Sequence, residues 1–384
     1  MTTEQESLPF SFPPPVAERV DLLVVAGEHS GDQHAARAVR ELTALRPGTV
    51  VCALGGPALQ AAGAQLLHDM TGTSTIGFAV FSKLSYYRGI IAAAAKWAAD
   101  YKPRAVCFVD SSGLNLRIAK TMFEAGTSAK GGGTVKTLYY ISPQIWASRR
   151  GRRFAMAKHL DGLAAIFPFE PGVYADTSLP VEFVGHPFVS DDYLAPVRFD
   201  ASGPVLLLPG SRRGAVSRIF PVLLEAYRLA ETGRDATVLF PSEEIRGVLD
   251  AANPPSNVRL VAGGGETIAG SAVLTSTGTM SMQCALAGIP GAVTYKTDLL
   301  TYFIGRMLVR VDNLGIANLL LKELMYPEFI QGDAKPAALA AQLSDALKNP
   351  ERAAKAAQQA AQLRDLLAHP PSVTIGKWLA GHLG

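Results

Sequence analysis

The sequence predicts an α/β protein built from two doubly wound parallel sheets. Short, continuously apolar segments recur in both halves of the chain, and a small-residue loop and a helical pattern follow most of them. Continuous apolar runs are typical of parallel strands, because helices cover both faces of such sheets. A chain of 384 residues is long for one hydrophobic core and suits two.

The predicted strands fall on either side of a segment rich in Pro, Asp and Gly, which predicts a linker. They lie at 22–25, 49–54, 105–109, 135–141, 162–167 and 181–184, and then at 205–208, 237–240, 258–262, 272–275 and 291–295. We therefore expect an extended arm at 1–20, a Rossmann-like domain at 21–190, a linker at 191–204, a second Rossmann-like domain at 205–345, and C-terminal helices at 346–384 that pack back on the first domain.

The net charge is only +3, but the basic residues cluster. The clustered residues are Lys83, Arg88, Lys96, Arg149, Arg150, Arg152, Arg153 and Lys158. Such clusters suit phosphates or acidic lipid surfaces. No basic face interleaved with aromatic residues is found, so nucleic acid is not an expected partner. The three cysteines form no C-x-x-C pair, which suits a reducing cytosol. No apolar run is long enough to predict a transmembrane helix, and the first residues do not resemble a signal peptide.

The segment 206–219 (L-L-L-P-G-S-R-R-G-A-V-S-R-I) predicts a loop that binds a nucleotide diphosphate. An apolar strand ends in Pro-Gly, and an amphipathic helix follows. Such a loop points backbone N–H groups and the helix dipole at its ligand. Ser211 adds a hydroxyl and Arg212 a planar fork of donors suited to phosphate. An ordinary strand-to-helix turn with solvated arginines is the alternative. A second small-residue loop, Ser276 to Thr279, precedes another helix and suits phosphate or ribose.

Asp110 ends the predicted strand 105–109, where parallel sheets bind ligands. It is a candidate general base, and a helix N-cap is the alternative. In the loop after the first strand, Ser30 is a plausible N-cap. Glu28, His29, Asp32 and His34 invite a metal interpretation, but two histidines five residues apart do not share a helix face, so no metal site is expected. His186, in a Gly-His-Pro turn, is either catalytic or structural.

Large apolar residues and basic residues are mixed in the segment 76–96. This pattern predicts a surface that dips into a bilayer interface and meets lipid phosphates. A buried helix with a basic outer edge is the alternative, because periodicity cannot separate a core face from a membrane face. The residues assigned to the membrane are Phe78, Phe81, Lys83, Leu84 and Arg88.

Several motifs stand in the order of a known family, and together they resemble lipid-A-disaccharide synthase over roughly residues 20–335. They are V-A-G-E-H-S-G-D (25–32), L-G-G-P (54–57), Y-I-S-P-Q-I-W-A (140–147), F-P-F-E (167–170), F-V-G-H-P (183–187), L-L-P-G-S-R (207–212), S-T-G-T (276–279), A-N-L-L (317–320) and P-E-F-I-Q (327–331). The resemblance implies the GT-B glycosyltransferase architecture, in which two Rossmann-like domains face each other across a cleft.

The resemblance also implies an inverting transfer of 2,3-diacylglucosamine from UDP to the 6-hydroxyl of 2,3-diacylglucosamine 1-phosphate (lipid X), which gives a β-1,6 disaccharide and UDP. It implies that the reaction needs no cofactor and that the protein is peripheral, on the cytoplasmic face of the inner membrane. It leaves open whether the protein forms a homodimer. Asp110 and Arg212 match catalytic positions. The matched UDP-binding positions are Ser211, Arg212, Ser276, Gly278, Thr279, Gln283 and Asn318. The acceptor-side positions are Glu28, Ser30, Asp32, Asn115, Ser142 and Trp146.

The chain departs from the family pattern where the family has acids, at Gly113, Ala215, Gln283 and Val80. A glutamine at 283 can still form a hydrogen bond with a ribose hydroxyl, but without charge. Two alternatives remain open from the residues: a UDP-sugar 2-epimerase-like enzyme, and a catalytically degenerate relative that binds UDP-sugars or membranes.

Overall fold

The computed structural model describes residues 10–71, 80–190, 193–297 and 313–384, with side chains from Ser85 onward in the helix that begins at Val80. The strands of this described part are β1 (Leu22–Ala26), β2 (Val51–Gly55), β3 (Gln65–Asp69), β4 (Ala105–Val109), β5 (Lys136–Tyr140), β6 (Gly162–Ala165), β7 (Val181–Phe183), β8 (Val197–Phe199), β9 (Val205–Leu208), β10 (Ala236–Phe240), β11 (Val258–Ala262), β12 (Ile268–Gly270), β13 (Ala272–Ser276), β14 (Gly291–Tyr295) and β15 (Glu328–Ile330).

The helices of the same residues are α1 (His29–Leu45), α2 (Pro57–Ala61), α3 (Val80–Tyr101), α4 (Ser112–Glu124), α5 (Arg152–His159), α6 (Glu170–Val173), α7 (Arg213–Ala230), α8 (Glu243–Asp250), α9 (Thr279–Leu286), α10 (Ile316–Leu321), α11 (Pro336–Lys348), α12 (Pro350–Leu367) and α13 (Ile375–Leu383). Single turns of 3₁₀ helix lie at Ala129–Gly131, Pro187–Val189 and Gln331–Asp333.

The first compact unit comprises Met1–Pro187 and Pro370–Gly384. Its described strands form a parallel sheet in the order β3-β2-β1-β4-β5-β6-β7. Strands β1, β2 and β4 are buried at every residue, as expected where helices cover both faces. The chain reverses its direction of winding between β1 and β4, so the loops after these two strands border a crevice.

The second unit comprises Phe188–His369. Its larger described sheet has the order β11-β10-β9-β13-β14-β15, and a separate parallel pair joins β12 to β8. Here the winding reverses between β9 and β13. Each unit has its own apolar core, which in the second packs one face of the larger sheet against the apolar stripes of α7 and α11. The prediction of a doubly wound α/β fold is confirmed.

Two details differ from the predicted domain organisation. Helix α12 packs on α9 within the second unit, whereas α13 packs on α1 within the first, so only the last of the C-terminal helices returns to the first unit. Arg46, Arg104 and Lys136 donate to carbonyls of the last residues of α13 and fix it there. In addition, the segment expected to be a linker contains β8, whose Val197 is buried in the second unit.

Candidate active site

The crevice of the first unit is bordered by the loops after β1 and β4, and Asp110 lies at its edge. Asp110 directly follows β4 and is half-buried. Its φ of +50° and the φ of +38° at Ser111 place two successive non-glycine residues in the left-handed region. Such strain is concentrated at functional sites, where the surrounding structure must hold it. The N-cap position of α4 belongs to Ser111 rather than Asp110, so the N-cap alternative for this acid is removed.

Asn115 and Tyr139 hold the strained turn. The Asn115 Nδ2 group donates to the carbonyl oxygens of Val109 and Asp110, each at 3.0 Å, and Tyr139 donates its hydroxyl to the same Asp110 carbonyl. Both side chains are buried, and burial together with the Asp110 charge raises the pKa of Tyr139, so its hydroxyl stays a donor. Asn115 was predicted on the acceptor side. The structure gives its amide a positioning role, and sequence reasoning missed Tyr139.

Asp32 supports the loop after β2. Its fully buried carboxylate accepts from the amides of Gly56 at 2.8 Å, Ala58 at 2.9 Å and Leu59 at 3.2 Å. These amides belong to the first turn of α2, whose N–H groups have no partner within the helix. Asp32 was predicted to face the acceptor, but its carboxylate is engaged with the backbone, so we assign it to support of the loop.

The two other predicted residues of the first loop lie at the start of α1. Glu28 occupies the N-cap position and is exposed. Ser30 lies inside the first helical turn, so its predicted N-cap role is wrong, because the helix begins at His29, two residues earlier than an N-cap at Ser30 would place it. Gly27 passes close to Ser111, since a Cβ at Gly27 would lie 3.1 Å from the serine Oγ. The loops after β1 and β4 therefore meet at the crevice.

Ser142 and Trp146 follow β5 and surround an acid that the sequence analysis did not select, Glu170. The Glu170 carboxyl is fully buried at the start of α6, and its Oε2 accepts from the amides of Ile166 and Phe167. Burial raises the pKa of Glu170 to about 7. The Ser142 hydroxyl shares a hydrogen bond of 2.7 Å with the Tyr174 hydroxyl. The acid in F-P-F-E, directly after an apolar strand, was the available signal for this cluster.

His34 and His186 are neighbours, and both are held neutral. Burial lowers the pKa of His34 to about 4, with the Arg37 charge as a second cause, and lowers the pKa of His186 to about 3. The His186 ring packs against Phe167 with 5.2 Å between ring centroids. This environment favours the structural alternative for His186. Among the described residues, no group of three or more His, Cys, Asp or Glu side chains is arranged to hold a metal ion.

In the second unit, the loop after β9 meets the loop after β13. Gly210 has a φ of +109°, and a Cβ at this position would lie 2.9 Å from the Ser276 Oγ. Only glycine therefore suits both the backbone and the space. Ser276 is almost fully buried by this approach, whereas Ser211 and Arg212 are exposed.

Two helix N-termini open at this crevice. Arg212 occupies the N-cap position of α7, and its carbonyl accepts from the amides of Ala215 and Val216. Gly278, with a φ of +144°, occupies the N-cap position of α9, and Thr279 begins that helix with an exposed side chain. Unpaired first-turn amides and two helix dipoles make a favourable place for an anion.

Gln283 and Asn318, both predicted to bind UDP, are engaged within the protein. Gln283 donates to the Tyr193 hydroxyl at 2.5 Å. The buried Asn318 amide donates to the Tyr326 carbonyl and to Glu328, and accepts from the amides of Met325 and Tyr326. Asn318 therefore ties α10 to the strand β15, and direct binding of UDP by this side chain does not fit its hydrogen bonds.

Glu328 and a neighbouring pocket were missed by sequence reasoning. The Glu328 carboxylate accepts from the amides of Leu314 and Gly315, just before α10. An open pocket of about 360 Å³ lies at the carboxyl ends of β14 and β15 and is lined by Arg218, Lys296, Thr297, Gln331 and Gly332. Its two cations add positive potential beside the helix N-termini.

The predicted membrane residues are only partly within the described residues. Phe78 lies outside them, as do the side chains of Phe81, Lys83 and Leu84. Arg88 is on α3 and is exposed. No described helix combines the length and apolarity that crossing a bilayer requires.

Two parallel sheets, each with its polar loops at the point where the winding reverses, define an α/β protein of the GT-B fold class. Solved structures agree on the fold. UDP-GlcNAc 2-epimerase from Neisseria meningitidis, bound to UDP-GlcNAc, matches with a TM-score of 0.56 at 12% identity, covering 91% of this chain and all (100%) of that chain. The calicheamicin glycosyltransferase CalG4 matches with a TM-score of 0.55 at 14% identity, covering 95% and 99%.

The family is given by the sequence relatives. The family model for lipid-A-disaccharide synthetase matches residues 22–372. Lipid-A-disaccharide synthase from Anaeromyxobacter sp. (strain K) is 36% identical over 88% of this chain and 90% of the relative. The Geobacter metallireducens enzyme of that name is 33% identical over 86% and 88%. The chain belongs to the lipid-A-disaccharide synthetase family and is a glycosyltransferase.

Proposed function

We propose that this protein is a lipid-A-disaccharide synthase that joins two acylated glucosamine units. It transfers 2,3-diacylglucosamine from its UDP derivative to the 6-hydroxyl of 2,3-diacylglucosamine 1-phosphate. The single observation that carries the proposal is the family match over residues 22–372, which includes both sheets and both crevices. Fold likeness to epimerases adds no preference, because many activities share this architecture.

The transfer needs a base and a stabilised leaving group. The Asp110 carboxylate takes the proton of the acceptor 6-hydroxyl as that oxygen forms a bond to C1 of the donor sugar. The bond between C1 and the phosphate oxygen breaks, and its electron pair leaves with UDP. Attack from the face opposite the phosphate inverts the configuration at C1.

Arg212 and the helix N-termini of the second unit stabilise the diphosphate. The exposed guanidinium of Arg212 offers paired donors, and the Ser211 and Thr279 hydroxyls lie on the same two loops. Positive charge placed in advance where negative charge develops lowers the barrier. This mechanism assigns no role to a metal ion or cofactor.

The test is UDP release by purified protein in detergent, supplied with UDP-2,3-diacylglucosamine, with and without the acceptor 1-phosphate. We expect UDP release only with acceptor, together with a disaccharide product. Conversion of the donor to its 2-epimer without acceptor would instead identify an epimerase. UDP binding with neither reaction, in folded protein, would identify a binding protein.

We further propose that the enzyme binds the cytoplasmic face of the inner membrane through the segment that starts α3. The apolar residues Phe78, Phe81 and Leu84 lie close in sequence to the basic residues Lys83 and Arg88. Apolar insertion combined with attraction to lipid phosphates is the usual basis of peripheral binding.

Sedimentation with anionic vesicles tests this surface. Replacement of Phe78, Phe81 and Leu84 by Ser is expected to leave the protein in the supernatant. A matched variant replaces three exposed apolar residues elsewhere, Val16, Leu194 and Leu324, and should sediment like the parent. Equal sedimentation of all three proteins would contradict the assignment.

A further inference from the structure

The basic segment 149–153 leads into α5, and two of its arginines have opposite surroundings. Arg153 forms an ion pair of 2.5 Å with Asp176, so its charge is neutralised locally. Arg152 is partly buried, and among the described residues no carboxylate lies within ion-pair distance of its guanidinium. A cation that is partly removed from water without an acid beside it is costly, and an anionic ligand would offset that cost.

Arg152 reaches the loop that follows β4. Its Nη1 donates to the Ser112 Oγ at 3.3 Å, and Ser112 is the first residue of α4, two residues after Asp110. The buried Tyr139 hydroxyl donates to the Asp110 carbonyl in the same loop. Burial raises the pKa of Tyr139, the Asp110 charge raises it further, and the Arg152 charge lowers it. Arg152 is therefore a cation at the same edge of the crevice as the candidate base.

The first turn of α4 offers space and donors beside this guanidinium. This turn, all of it within the described chain, contains no acidic side chain. A Cβ at Gly113 would meet no described heavy atom within 4 Å, so the turn borders open space. First-turn amides and the positive end of the helix dipole add to the attraction of an anion. The guanidinium supplies the paired donors that match a phosphate.

The acceptor of the proposed reaction carries two polar groups on one edge of its sugar. The reacting 6-hydroxyl is attached through C5, and the phosphate is attached at C1. Both carbons adjoin the ring oxygen, so a base and a cation at one crevice can engage the two groups together. A phosphate monoester carries about two negative charges near neutral pH and three acceptor oxygens.

We propose that Arg152 binds the 1-phosphate of the acceptor, with the first turn of α4 as a second source of donors. The Ser112 hydroxyl positions the guanidinium, and Asp110 receives the 6-hydroxyl of the same sugar. Holding the phosphate orients the sugar, so the site selects an acceptor that is phosphorylated at C1. The identity of the acceptor rests on the proposed function, whereas the affinity of Arg152 for a sugar phosphate does not.

Calorimetry in detergent measures the phosphate contact without turnover. The two ligands are 2,3-diacylglucosamine 1-phosphate and the same molecule without its phosphate, each added without donor. We expect the parent protein to bind the phosphorylated ligand about 10–100-fold more tightly, the effect of hydrogen bonds between charged groups. In Arg152→Gln this preference should fall about tenfold or more, with the affinity for the phosphate-free ligand unchanged. A preference of the same size in the variant would overturn the proposal.

Two further variants separate charge, paired donors and general surface effects. Arg152→Lys keeps the charge without the planar fork, so it should retain only part of the preference. Arg117→Gln changes an exposed arginine of α4 and is the matched control, which should bind both ligands as the parent does. Melting temperatures show that the variants are folded. Should Arg152→Gln not fold, Arg152→Lys decides, and a preference equal to that of the parent would overturn the proposal.

Steady-state kinetics test the same contact during transfer. Arg152→Gln should raise the acceptor KM about 10–100-fold. The donor KM should be unchanged, because the loops assigned to UDP belong to the second unit. An unchanged acceptor KM would contradict the assignment of Arg152. Absence of transfer in a parent protein that shows the phosphate preference in calorimetry would count against the proposed function alone.

A lipid head group is the other source of a phosphate for this site. Sedimentation with anionic vesicles should be equal for the parent and Arg152→Gln. Weaker sedimentation of the variant, with unchanged affinity for the phosphorylated acceptor, would assign Arg152 to the membrane and overturn the proposal.

Discussion

The crevice of the first unit and the crevice of the second occupy equivalent places in their sheets but are built in opposite ways. In the first, the polar side chains Asp32 and Asn115 are buried and bonded to backbone. Asp32 supports the loop after β2, and Asn115 holds the strained turn at Asp110. In the second, Ser211 and Arg212 are exposed above two helix N-termini. The same topology therefore provides either a rigid frame for one reactive acid or an open array of donors.

This difference fits the two tasks. A base must be held within hydrogen-bond reach of one hydroxyl, and small errors of position are costly. A diphosphate is large and highly charged, and several donors share its binding. Substitutions in the two crevices should accordingly affect different steps of the reaction.

The largest effect is expected at Asp110. Asp110→Asn removes the base but keeps the size of the side chain, and we expect transfer to fall by about 10²–10⁴-fold. UDP binding, measured by calorimetry, should persist, because the second unit is untouched. Asp100→Asn, an exposed acid on α3, is the matched control and should be fully active. Comparable activity in both variants would remove Asp110 from the mechanism.

The second largest effect is expected at Arg212, where substitution should weaken nucleotide binding and slow turnover. Loss of one preorganised donor to developing charge costs about 10²–10³ in kcat, so Arg212→Ala should lose that much and also bind UDP weakly. Its neighbour Arg213 is 64% exposed and lies 3.8 Å from Glu244. Arg213→Ala is therefore the control, and a loss there as large as at Arg212 would point to general surface charge instead.

A smaller effect is expected where the two loops of the second unit meet. Gly210→Ala introduces a Cβ 2.9 Å from the Ser276 Oγ at a φ of +109°. The strain should separate the loops and cost about 1–3 kcal/mol, seen as a lower melting temperature and weaker UDP binding. Gly264 also has a positive φ, but the space around it is open. Gly264→Ala therefore shows the effect of backbone strain without the clash. Equal UDP affinity in the two variants would show that loop contact is unimportant.

The smallest expected effect is a dependence of the free energy of unfolding on pH, which arises from Glu170 in the first unit. The pKa of Glu170 is raised from 4.5 to about 7 in the folded protein, so between these values the folded state binds the proton that the unfolded state releases. Stability should therefore fall as pH rises from about 4.5 to about 7, by at most roughly 3 kcal/mol.

Chemical denaturation of the parent and of Glu170→Gln at pH 5 and pH 8 measures this contribution. The variant should gain stability relative to the parent at pH 8 compared with pH 5. An equal difference at the two pH values would mean that Glu170 titrates as an ordinary acid.

Most of the larger strands were predictable because their sequences are continuously apolar. The strands β4, β9, β11 and β14 have the predicted bounds. By contrast β3 was missed, since Gln65–Asp69 mixes polar and apolar residues, and β8, β12 and β15 are only three residues long. Strands that short carry little periodic signal, and of the described three-residue strands only β7 was predicted.

By itself, the sequence determined the alternation of strands, loops and helices, the family, and the loops that carry Asp110 and Arg212. Apolar periodicity and glycine placement are local signals, and motif order is read along the chain. Only the tertiary structure decided that Asp32, Asn115 and Asn318 serve the backbone and that Glu170 is buried and accepts from the amides of Ile166 and Phe167. The role of a polar side chain depends on which hydrogen-bonding groups lie next to it in the folded protein. Those neighbours, such as Gly56 for Asp32, lie far away in sequence and meet only in the folded sheet.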